Sequence, residues 1–161
     1  MNDVDGAAQP GRSSPCSTDI AVRPATAADA PTVAALCGQF GYPATGEAIG
    51  RRLAAIAGDP DAAVLVAEAP DGAVVGWVHV RTLQLLQRDA GAEVCGLVVE
   101  EVWRRRGIGG LLMAAAEDWA RRRGMSLLRP RSNVVRDDAH AFYRRLGYAG
   151  SKTSLLFTKT L

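Results

Sequence analysis

Apolar residues recur at helical spacing in four parts of the chain and form short runs in six others. The helical spacing predicts helices at residues 26–40, 49–56, 108–123 and 137–146. The short runs predict strands at residues 20–23, 63–67, 74–80, 93–99, 125–128 and 154–161. The resulting order, β-α-α-β-β-β-α-β-α-β, predicts an α/β domain (an α+β mixed sheet) with helices on both faces of the sheet.

Local signals refine this pattern. Pro70-Asp71-Gly72 has the composition of a tight turn, so the strands on either side of it are predicted to form a β-hairpin. The run at residues 93–99 is apolar at nearly every position, which favours a strand covered on both faces. Residues 1–18 are rich in Gly, Pro and Ser and show no apolar period. We expect a disordered N-terminal tail there and a single domain over residues 19–161.

The remaining composition narrows the class of protein. The 161 residues carry a formal net charge of +2, which argues against a strongly basic nucleic-acid-binding module. No segment approaches the ~20 consecutive apolar residues of a membrane-spanning helix, and the first residues lack the pattern of a secretory signal. The three cysteines are far apart, and neither histidine belongs to an HExxH motif. We therefore expect a cytoplasmic protein with reduced thiols, no metal, and no nucleic-acid or membrane partner.

The strongest chemical signal lies at residues 97–110, LVVEEVWRRRGIGG, where the covered strand leads through a charged loop into the third helix. Backbone N–H groups at a helix start are unpaired, and the helix dipole adds partial positive charge. Glycines let an anion approach the backbone, and three arginines add formal charge. The segment thus suits a pyrophosphate, and an ordinary helix start with a solvated basic loop is the alternative. It matches neither a P-loop nor a dinucleotide-binding fingerprint.

Two motifs in this order resemble those of the GCN5-related N-acetyltransferases (GNATs). Residues 104–109 read RRRGIG, similar to the family signature Q/R-x-x-G-x-G/A. Residues 139–148 read AHAFYRRLGY, similar to A-x-x-x-Y-x-x-x-G-F/Y. Residues 20–36 also look like the first strand and helix of the family, so the resemblance covers about residues 19–161. It implies a GNAT-like acyl-CoA N-acyltransferase fold, with a mostly antiparallel sheet splayed at the fourth strand and helices on both faces.

The resemblance implies acetyl-CoA as co-substrate. The pyrophosphate would lie on the backbone N–H groups of residues 106–110, and the pantetheine arm would run along residues 97–99 like an added strand. A backbone N–H near Val98 would hold the developing oxyanion. Family members carry a bulge in this strand, for which Gly96 is the candidate. The cofactor-binding residues implied are Val98, Val99, Arg104, Arg106, Gly107, Ile108, Gly109 and Gly110.

Tyr143 is the candidate general acid. A leaving thiol has a pKa near ~8.5 and a phenol one near ~10, so a tyrosine is protonated at neutral pH and can donate to the thiolate. Spacing alone favours a core tyrosine beside Phe142, whereas the family motif places its catalytic tyrosine here. In many members an asparagine stands three residues before the motif alanine. Here that position is Arg136, which reaches the coenzyme's phosphates or is only surface charge.

Glu93 and Tyr42 are the candidates for handling the acceptor. A lysine-like amine has a pKa of about 10.4 and must lose a proton before it attacks. Glu93, at the start of the covered strand, is predicted as the base and as an acceptor-binding residue, with a solvated glutamate as the equal alternative. Tyr42 lies in the loop after the first helix, where it either lines the acceptor site or belongs to a turn.

These observations predict an enzyme, an N-acetyltransferase that moves an acetyl group from acetyl-CoA to a primary amine of a small molecule or peptide by direct attack. The alternative is a non-catalytic acyl-CoA-binding sensor module. The uneven distribution of charge along the chain fits both the enzyme and the sensor. Residues 101–145 carry +6 and the rest of the chain −4, so a basic half is available for a polyanionic coenzyme. Dimers are common among similar proteins, so a homodimer is among the expected assemblies.

Overall fold

A computed structural model of the chain describes residues 19–133 and 135–161. The expected disordered tail, residues 1–18, lies outside the described residues. None of the helices in the described ranges has the length and apolar character needed to cross a membrane.

A five-stranded mixed sheet forms the centre of the fold, with its strands in sequence order. The strands are β1 (Ala21–Pro24), β2 (Ala62–Glu68), β3 (Val74–Leu85), β4 (Arg88–Val99) and β5 (Leu128–Pro130). Neighbours are antiparallel from β1 to β4, whereas β5 runs parallel to β4. The parallel pair follows from its connection, because a helical crossover joins β4 to β5.

Four helices cover the two faces of the sheet: α1 (Ala30–Gln39), α2 (Gly46–Ala57), α3 (Ile108–Arg122) and α4 (Asp137–Arg145). Apolar residues of α1 and α2 pack with Val66, Trp77 and Val98 on one face. The stripe of α3 that includes Leu112 and Met113 packs on the other face, where α4 adds Phe142 and Tyr143. The predicted α/β class and the helices on both faces are confirmed.

The hairpin β3–β4 is longer than the sequence pattern predicts. Residues 82–91, which lie between the strands predicted at 74–80 and 93–99, continue both strands, and the register runs from Gly76↔Val99 to Leu85↔Arg88. Polar residues such as Gln84 and Asp89 interrupt the apolar pattern there because this end of the hairpin extends beyond the helices and faces solvent. The strand predicted at residues 125–128 is also shifted in the structure, because β5 begins only at Leu128.

The last predicted strand, at residues 154–161, is absent. Residues 151–161 have no regular secondary structure, and Leu155, Leu156 and Phe157 are each more than 80% exposed. A strand needs a partner as well as β-branched and aromatic residues. No strand of the described ranges pairs with the outer edge of β5, so the chain has both an exposed apolar segment and an open sheet edge.

A buried ion pair fixes the beginning of α1 to the sheet. Asp29, 7% exposed, accepts hydrogen bonds from Arg23 of β1 at 2.8 and 2.9 Å and from the backbone N–H of Thr26 at 2.7 Å. Arg23 also donates to Glu68 of β2 at 2.6 Å. These bonds, with the Arg23 bonds foremost, lower the pKa of Asp29 from 3.8 to about 2. Thr26, at the predicted start of the first helix, forms a capping box with Asp29, and the Arg23–Asp29 ion pair ties α1 to β1.

Asp29→Asn should lower the free energy of unfolding by about 2 kcal/mol at pH 7. The folded-state pKa of Asp29 is depressed, so its contribution is present above pH 3.8 and is lost as the pH falls towards about 2. Urea denaturation from pH 7 down to pH 3 should show the stability difference between wild type and variant shrinking below pH 4. A difference that stays constant over this range would contradict the assignment. Glu68→Gln, at a more exposed partner of Arg23, should cost less.

Candidate active site

β4 and β5 separate part-way along their length and leave a cleft. Their register runs only from Ala92↔Leu128 to Val94↔Pro130, whereas β4 continues to Val99. Residues 95–99 of β4 therefore have β3 on one side and no strand of the described chain on the other. The sheet is splayed at its fourth strand, as the resemblance implied.

A bulge lies at the point where the strands part. His79 of β3 faces Gly96, the next residue Val80 faces Val94, and Cys95 is the extra residue. The bulge predicted at Gly96 is thus confirmed, with Cys95 beside it as the inserted position. A side chain at Gly96 would meet the Trp77 ring at 2.8 Å, so this glycine permits the indole to pack under the bulge. Such bulges bend a strand and end its pairing.

The register decides which backbone groups face the cleft. The Glu100 N–H donates to the Val75 carbonyl at 2.9 Å, and hydrogen-bonded pairs alternate along an antiparallel ladder. The pair Val98↔Trp77 therefore bonds within the sheet, whereas the N–H and C=O groups of Leu97 and Val99 point towards the cleft. The prediction of an N–H near Val98 is thereby narrowed: the groups that face the cleft belong to its neighbours Leu97 and Val99, whereas Val98 itself contributes a buried side chain to the core.

The cleft ends at a row of backbone N–H groups without partners. Arg104 N–H donates to the Glu101 carbonyl and Leu111 N–H to the Gly107 carbonyl. Between them, no N–H of residues 105–110 donates to any group within the described ranges. These N–H groups include the first turn of α3, where the helix dipole is positive. Together they form an anion cradle, the name used below for residues 105–110.

Two glycines shape the anion cradle in different ways. Gly107 has a φ of 81° as the residue that precedes α3, a left-handed conformation that favours glycine. A Cβ at Gly109 would lie 3.1 Å from the Phe142 ring of α4 and 3.8 Å from the Val99 side chain. Gly109 therefore lets α3, α4 and the end of β4 approach one another. The next residue differs, since a Cβ at Gly110 would meet only Leu146, at 4.0 Å.

The arginines of the loop before α3 occupy distinct positions. Arg104 extends back along the cleft, where its Nε donates to the Val99 carbonyl at 3.1 Å. The Arg106 guanidinium lies over the Trp103 ring, 5.0 Å from its centre, and is otherwise exposed. Ile108 has its side chain in the core, so only its backbone can face an anion. The structure thus brings the predicted residues Val99, Arg104 and the anion cradle together at one end of the cleft.

Tyr143 lies on α4 with its ring half-buried. It packs against Phe142 and Tyr148, with ring centres 5.2 and 6.0 Å away. Burial raises the pKa of Tyr143, and the nearby Arg136 opposes this shift. Its hydroxyl has no hydrogen-bond partner among the residues that the structure describes. Tyr143 therefore holds a protonated phenol beside the contact that joins α4 to the anion cradle.

An aromatic cluster lies on the face of the sheet that α1 and α2 cover. Phe40, at the end of α1, lies edge-on to Trp77 at 6.4 Å between ring centres and tilted against Tyr42 at 5.4 Å. The Arg136 guanidinium stacks over Phe40 at 4.4 Å and donates to its carbonyl at 3.1 Å. Arg136 thus links the start of α4 to α1, a role that neither sequence alternative included. Tyr42, 67% exposed, is free to contact a ligand from the α1–α2 loop.

Glu93 lies at the other end of the cleft from the anion cradle. It sits at the last part of β4 that still pairs with β5, opposite Arg81 on β3 and Arg129 on β5. Its carboxylate is 16% exposed and lies 3.7 Å from the Arg131 guanidinium. These three arginines were not among the predicted site residues, because only the strand register brings them around Glu93. No group of three His, Cys, Asp or Glu side chains within the described part of the chain is arranged to hold a metal ion.

The family follows from a comparison with known proteins. The model of the acetyltransferase (GNAT) family matches residues 32–148, which include the cleft, the anion cradle and Tyr143. The chain belongs to the GNAT acetyltransferase family. The family resemblance of the two motifs is thereby confirmed.

Curated relatives of this GNAT protein differ in the amines they are named for. The chain is 37% identical over 92 residues to the aminoalkylphosphonate N-acetyltransferase of Salmonella typhimurium, a match that covers 56% of this chain and 58% of that one. It is 30% identical over 107 residues to the aminoglycoside N(6')-acetyltransferase type 1 of Stenotrophomonas maltophilia, covering 64% and 70%. The chain thus spans less than two thirds of the first relative.

Solved structures agree on the fold. The aminoglycoside N-acetyltransferase AAC(6')-Iy in complex with CoA superposes with a TM-score of 0.78 at 17% identity, covering 88% of this chain and 95% of that one. At this identity the likeness concerns the fold alone. It supports the splayed GNAT sheet built above from the register.

Proposed function

We propose that this GNAT protein is an acetyl-CoA-dependent N-acetyltransferase. One observation carries the proposal: the unpaired edge of β4 at residues 95–99 leads directly to the anion cradle at residues 105–110. An extended arm with amide groups fits the edge, and a diphosphate fits the cradle. Acetyl-CoA has both parts in this order and supplies an acetyl thioester at the far end of the arm.

The residues of the cleft have separate tasks in this proposal. The N–H and C=O groups of Leu97 and Val99 bind the amide-bearing arm like a neighbouring strand. To do so at Val99, the arm displaces the Arg104 side chain from its carbonyl. The Leu97 N–H, nearer the bulge, points to where the thioester carbonyl would develop negative charge. The Arg104 and Arg106 side chains then supply charge to the diphosphate bound by residues 106–110.

The proposed transfer is direct. The nitrogen of a neutral amine attacks the thioester carbonyl carbon, the C–N bond forms, the C–S bond breaks, and Tyr143 protonates the departing thiolate. The nitrogen then gives up its extra proton through water, and the Tyr143 phenolate takes a proton back, so the products are a neutral amide, free thiol and the restored phenol. A covalent route through Cys95 is disfavoured, because burial and the adjacent Glu93 raise the pKa of its thiol. Thiolate, not thiol, is the reactive form of cysteine. Cys95 therefore borders the cleft without serving as a nucleophile.

Glu93 is proposed as the base that takes a proton from the incoming ammonium, directly or through water. Glu93→Gln should lower kcat/KM about 100-fold at pH 7. The loss should shrink towards pH 10, because free amine then becomes abundant without a base. A pH profile of kcat/KM for both proteins measures this. A ratio that is constant with pH would remove Glu93 from proton transfer and leave it an acceptor-binding residue.

The function is tested by following thiol release from acetyl-CoA with a panel of primary amines of small molecules and peptides. Calorimetry measures acetyl-CoA binding in parallel. Binding together with amine-dependent thiol release supports the transferase, whereas binding without turnover on the whole panel favours the acyl-CoA sensor. Acetyl-CoA that fails to bind would contradict both. The relatives named for aminoalkylphosphonates and aminoglycosides make a primary amine the acceptor to propose first.

A homodimer and a cytoplasmic location complete the proposal. Cys37 and Cys95 are free thiols, which supports a location in the cytoplasm.

The exposed side chains of Leu155, Leu156 and Phe157, together with the open outer edge of β5, support a dimer in which the last segment of each chain pairs with the sheet of its partner.

Removal of residues 151–161 should convert the dimer to a monomer, because the segment offers its apolar side chains to a partner and not to its own sheet. Sedimentation equilibrium of the full and the truncated chain measures this change. Leu155→Ser combined with Phe157→Ser should weaken the dimer in the same direction, while Lys152→Ser should leave it unchanged. A full chain that is monomeric at all concentrations would contradict the proposal.

A further inference from the structure

The acceptor end of the cleft contains an excess of positive charge on one face of the sheet. Side chains of register-paired neighbours share a face, so Arg81, Glu93 and Arg129 lie side by side on β3, β4 and β5. Arg131 follows directly after β5 and approaches the same carboxylate. Three guanidinium groups thus surround a single carboxylate, with a net charge of +2 at this place.

The bonds among these groups leave most of the arginine donors free. The only approach within 4 Å, from Arg131 to Glu93, is 3.7 Å, beyond hydrogen-bond distance. Neither Arg81 nor Arg129 forms an ion pair with any carboxylate within residues 19–133 and 135–161. Elsewhere in the fold, Arg23 and Arg121 each pair with two carboxylates. Arg81 and Arg129 therefore keep their donors available for a carboxylate or another anion, although both lie beside Glu93.

Arg129 is the most informative of the three. Its Nη1 is buried and has no hydrogen-bond partner in the described part of the chain. It lies 2.5 Å from where a Cβ of Gly91 would be, so the guanidinium rests on a backbone that has no side chain. Gly91 and Glu93 are two residues apart on one strand and share its face. A buried guanidinium N–H without an acceptor is costly, and an anionic ligand would supply the acceptor.

The position of these arginines favours a role in binding the acceptor and not the coenzyme. The anion cradle follows Val99, whereas the arginines surround Glu93 at the opposite end of the cleft. The Leu97 N–H lies between them, four residues from Glu93 along the strand. An ammonium held by Glu93 and an anionic group held by the arginines around it would therefore belong to one small molecule. A polycation would meet repulsion instead.

We propose that the acceptor is a small primary amine that also carries an oxyanion, a carboxylate or a phosphonate, held by Arg81, Arg129 and Arg131. The inference rests on the proposed N-acetyltransferase activity and adds the substrate class. A planar guanidinium binds either oxyanion through two parallel hydrogen bonds. Glu93 then contacts the ammonium end, and its single negative charge is matched to that single positive charge.

Matched amines test the substrate class. Wild type is assayed for kcat/KM with β-alanine, 2-aminoethylphosphonate, neutral 3-amino-1-propanol and the dication 1,3-diaminopropane. We expect the better of the two anionic amines to exceed the neutral amine at least tenfold and the dication to be the poorest. The ratio between carboxylate and phosphonate identifies which oxyanion the site prefers. A neutral or dicationic amine that is acetylated best would overturn the inference and leave the transferase function standing.

Two variants assign the preference to the arginines. Arg129→Gln and Arg131→Gln should each raise KM for the anionic amine at least tenfold, with little change for the neutral amine. Both should leave the Kd of acetyl-CoA unchanged, and so should the control Arg122→Gln at the end of α3. A change in acetyl-CoA affinity without a change in acceptor KM would instead assign these arginines to the coenzyme and overturn the inference.

Binding measured by ligand-detected NMR separates this inference from the transferase function. If no amine is acetylated, but 2-aminoethylphosphonate or β-alanine binds wild type and not Arg129→Gln, the anion site stands and the transferase proposal fails. If neither anionic amine is acetylated or binds, the inference fails as well.

Discussion

Tyr143→Phe is expected to lower kcat by about 100- to 1,000-fold and to leave the Kd of acetyl-CoA within twofold of wild type. The variant keeps the ring and its contacts with Phe142 and Tyr148 and removes only the hydroxyl. Burial raises the pKa of Tyr143, so the phenol is protonated at neutral pH and can give its proton to the departing thiolate. Single-turnover thiol release with saturating acceptor measures the chemical step, and calorimetry measures coenzyme affinity.

Tyr148→Phe is the matched control, because it removes the hydroxyl of the neighbouring ring. That hydroxyl donates to Glu117 of α3 at 2.7 Å, so its loss should reduce stability by about 1 kcal/mol and leave kcat unchanged. An equal fall of kcat in both variants would show that the aromatic cluster, and not the Tyr143 proton, matters. Wild-type turnover in Tyr143→Phe would remove Tyr143 from the mechanism. Because the pKa of Tyr143 is raised, wild-type kcat should show no loss from its ionisation at pH 9.

The features that the sequence predicts well are those that depend on local pattern. The stripe of Ile108, Leu112 and Trp119 predicts α3 because side chains at this spacing share one face whatever the rest of the fold does. The turn at residues 70–72 and the glycine before α3 are equally local, and both are where the sequence places them. For the same reason the position of the anion cradle could be read directly from residues 104–110.

The features that the sequence did not predict depend on strand pairing. Leu97, Val98 and Val99 are alike in composition, and only the Val75–Glu100 hydrogen bond shows that the first and third face the cleft. Arg81, Arg129 and Glu93 are distant in sequence and meet through the registers of two strand pairs. Residues 154–161 have the composition of a strand and no partner within the described chain. In each case the missing information is the identity of the neighbouring strand, which a pattern within one segment does not contain.

Gly109→Val should raise the Kd of acetyl-CoA about tenfold and lower kcat, whereas Gly38→Val, in α1 and outside the anion cradle, should change either quantity less than twofold. A Cβ at Gly109 would lie 3.1 and 3.2 Å from two atoms of the Phe142 ring, closer than ordinary contact, while one at Gly38 meets nothing within 4 Å. Overpacking of this kind costs about 1–3 kcal/mol. At position 109 that strain would separate α4 from the anion cradle and displace Tyr143 together with Phe142. Calorimetry and single-turnover assays measure the two effects.

A second substitution distinguishes the two reasons for a glycine at this position. If Gly109 is needed because Phe142 packs against it, then Gly109→Val combined with Phe142→Leu should recover most of the coenzyme affinity, since leucine frees the space that the ring occupies. If it is needed because a bound diphosphate approaches the backbone of residue 109, the double variant should bind as weakly as Gly109→Val alone. The contact between Gly109 and Phe142 makes recovery the expected result. It would show that the signature glycine maintains the junction between α3 and α4, and that the anion cradle depends on this packing.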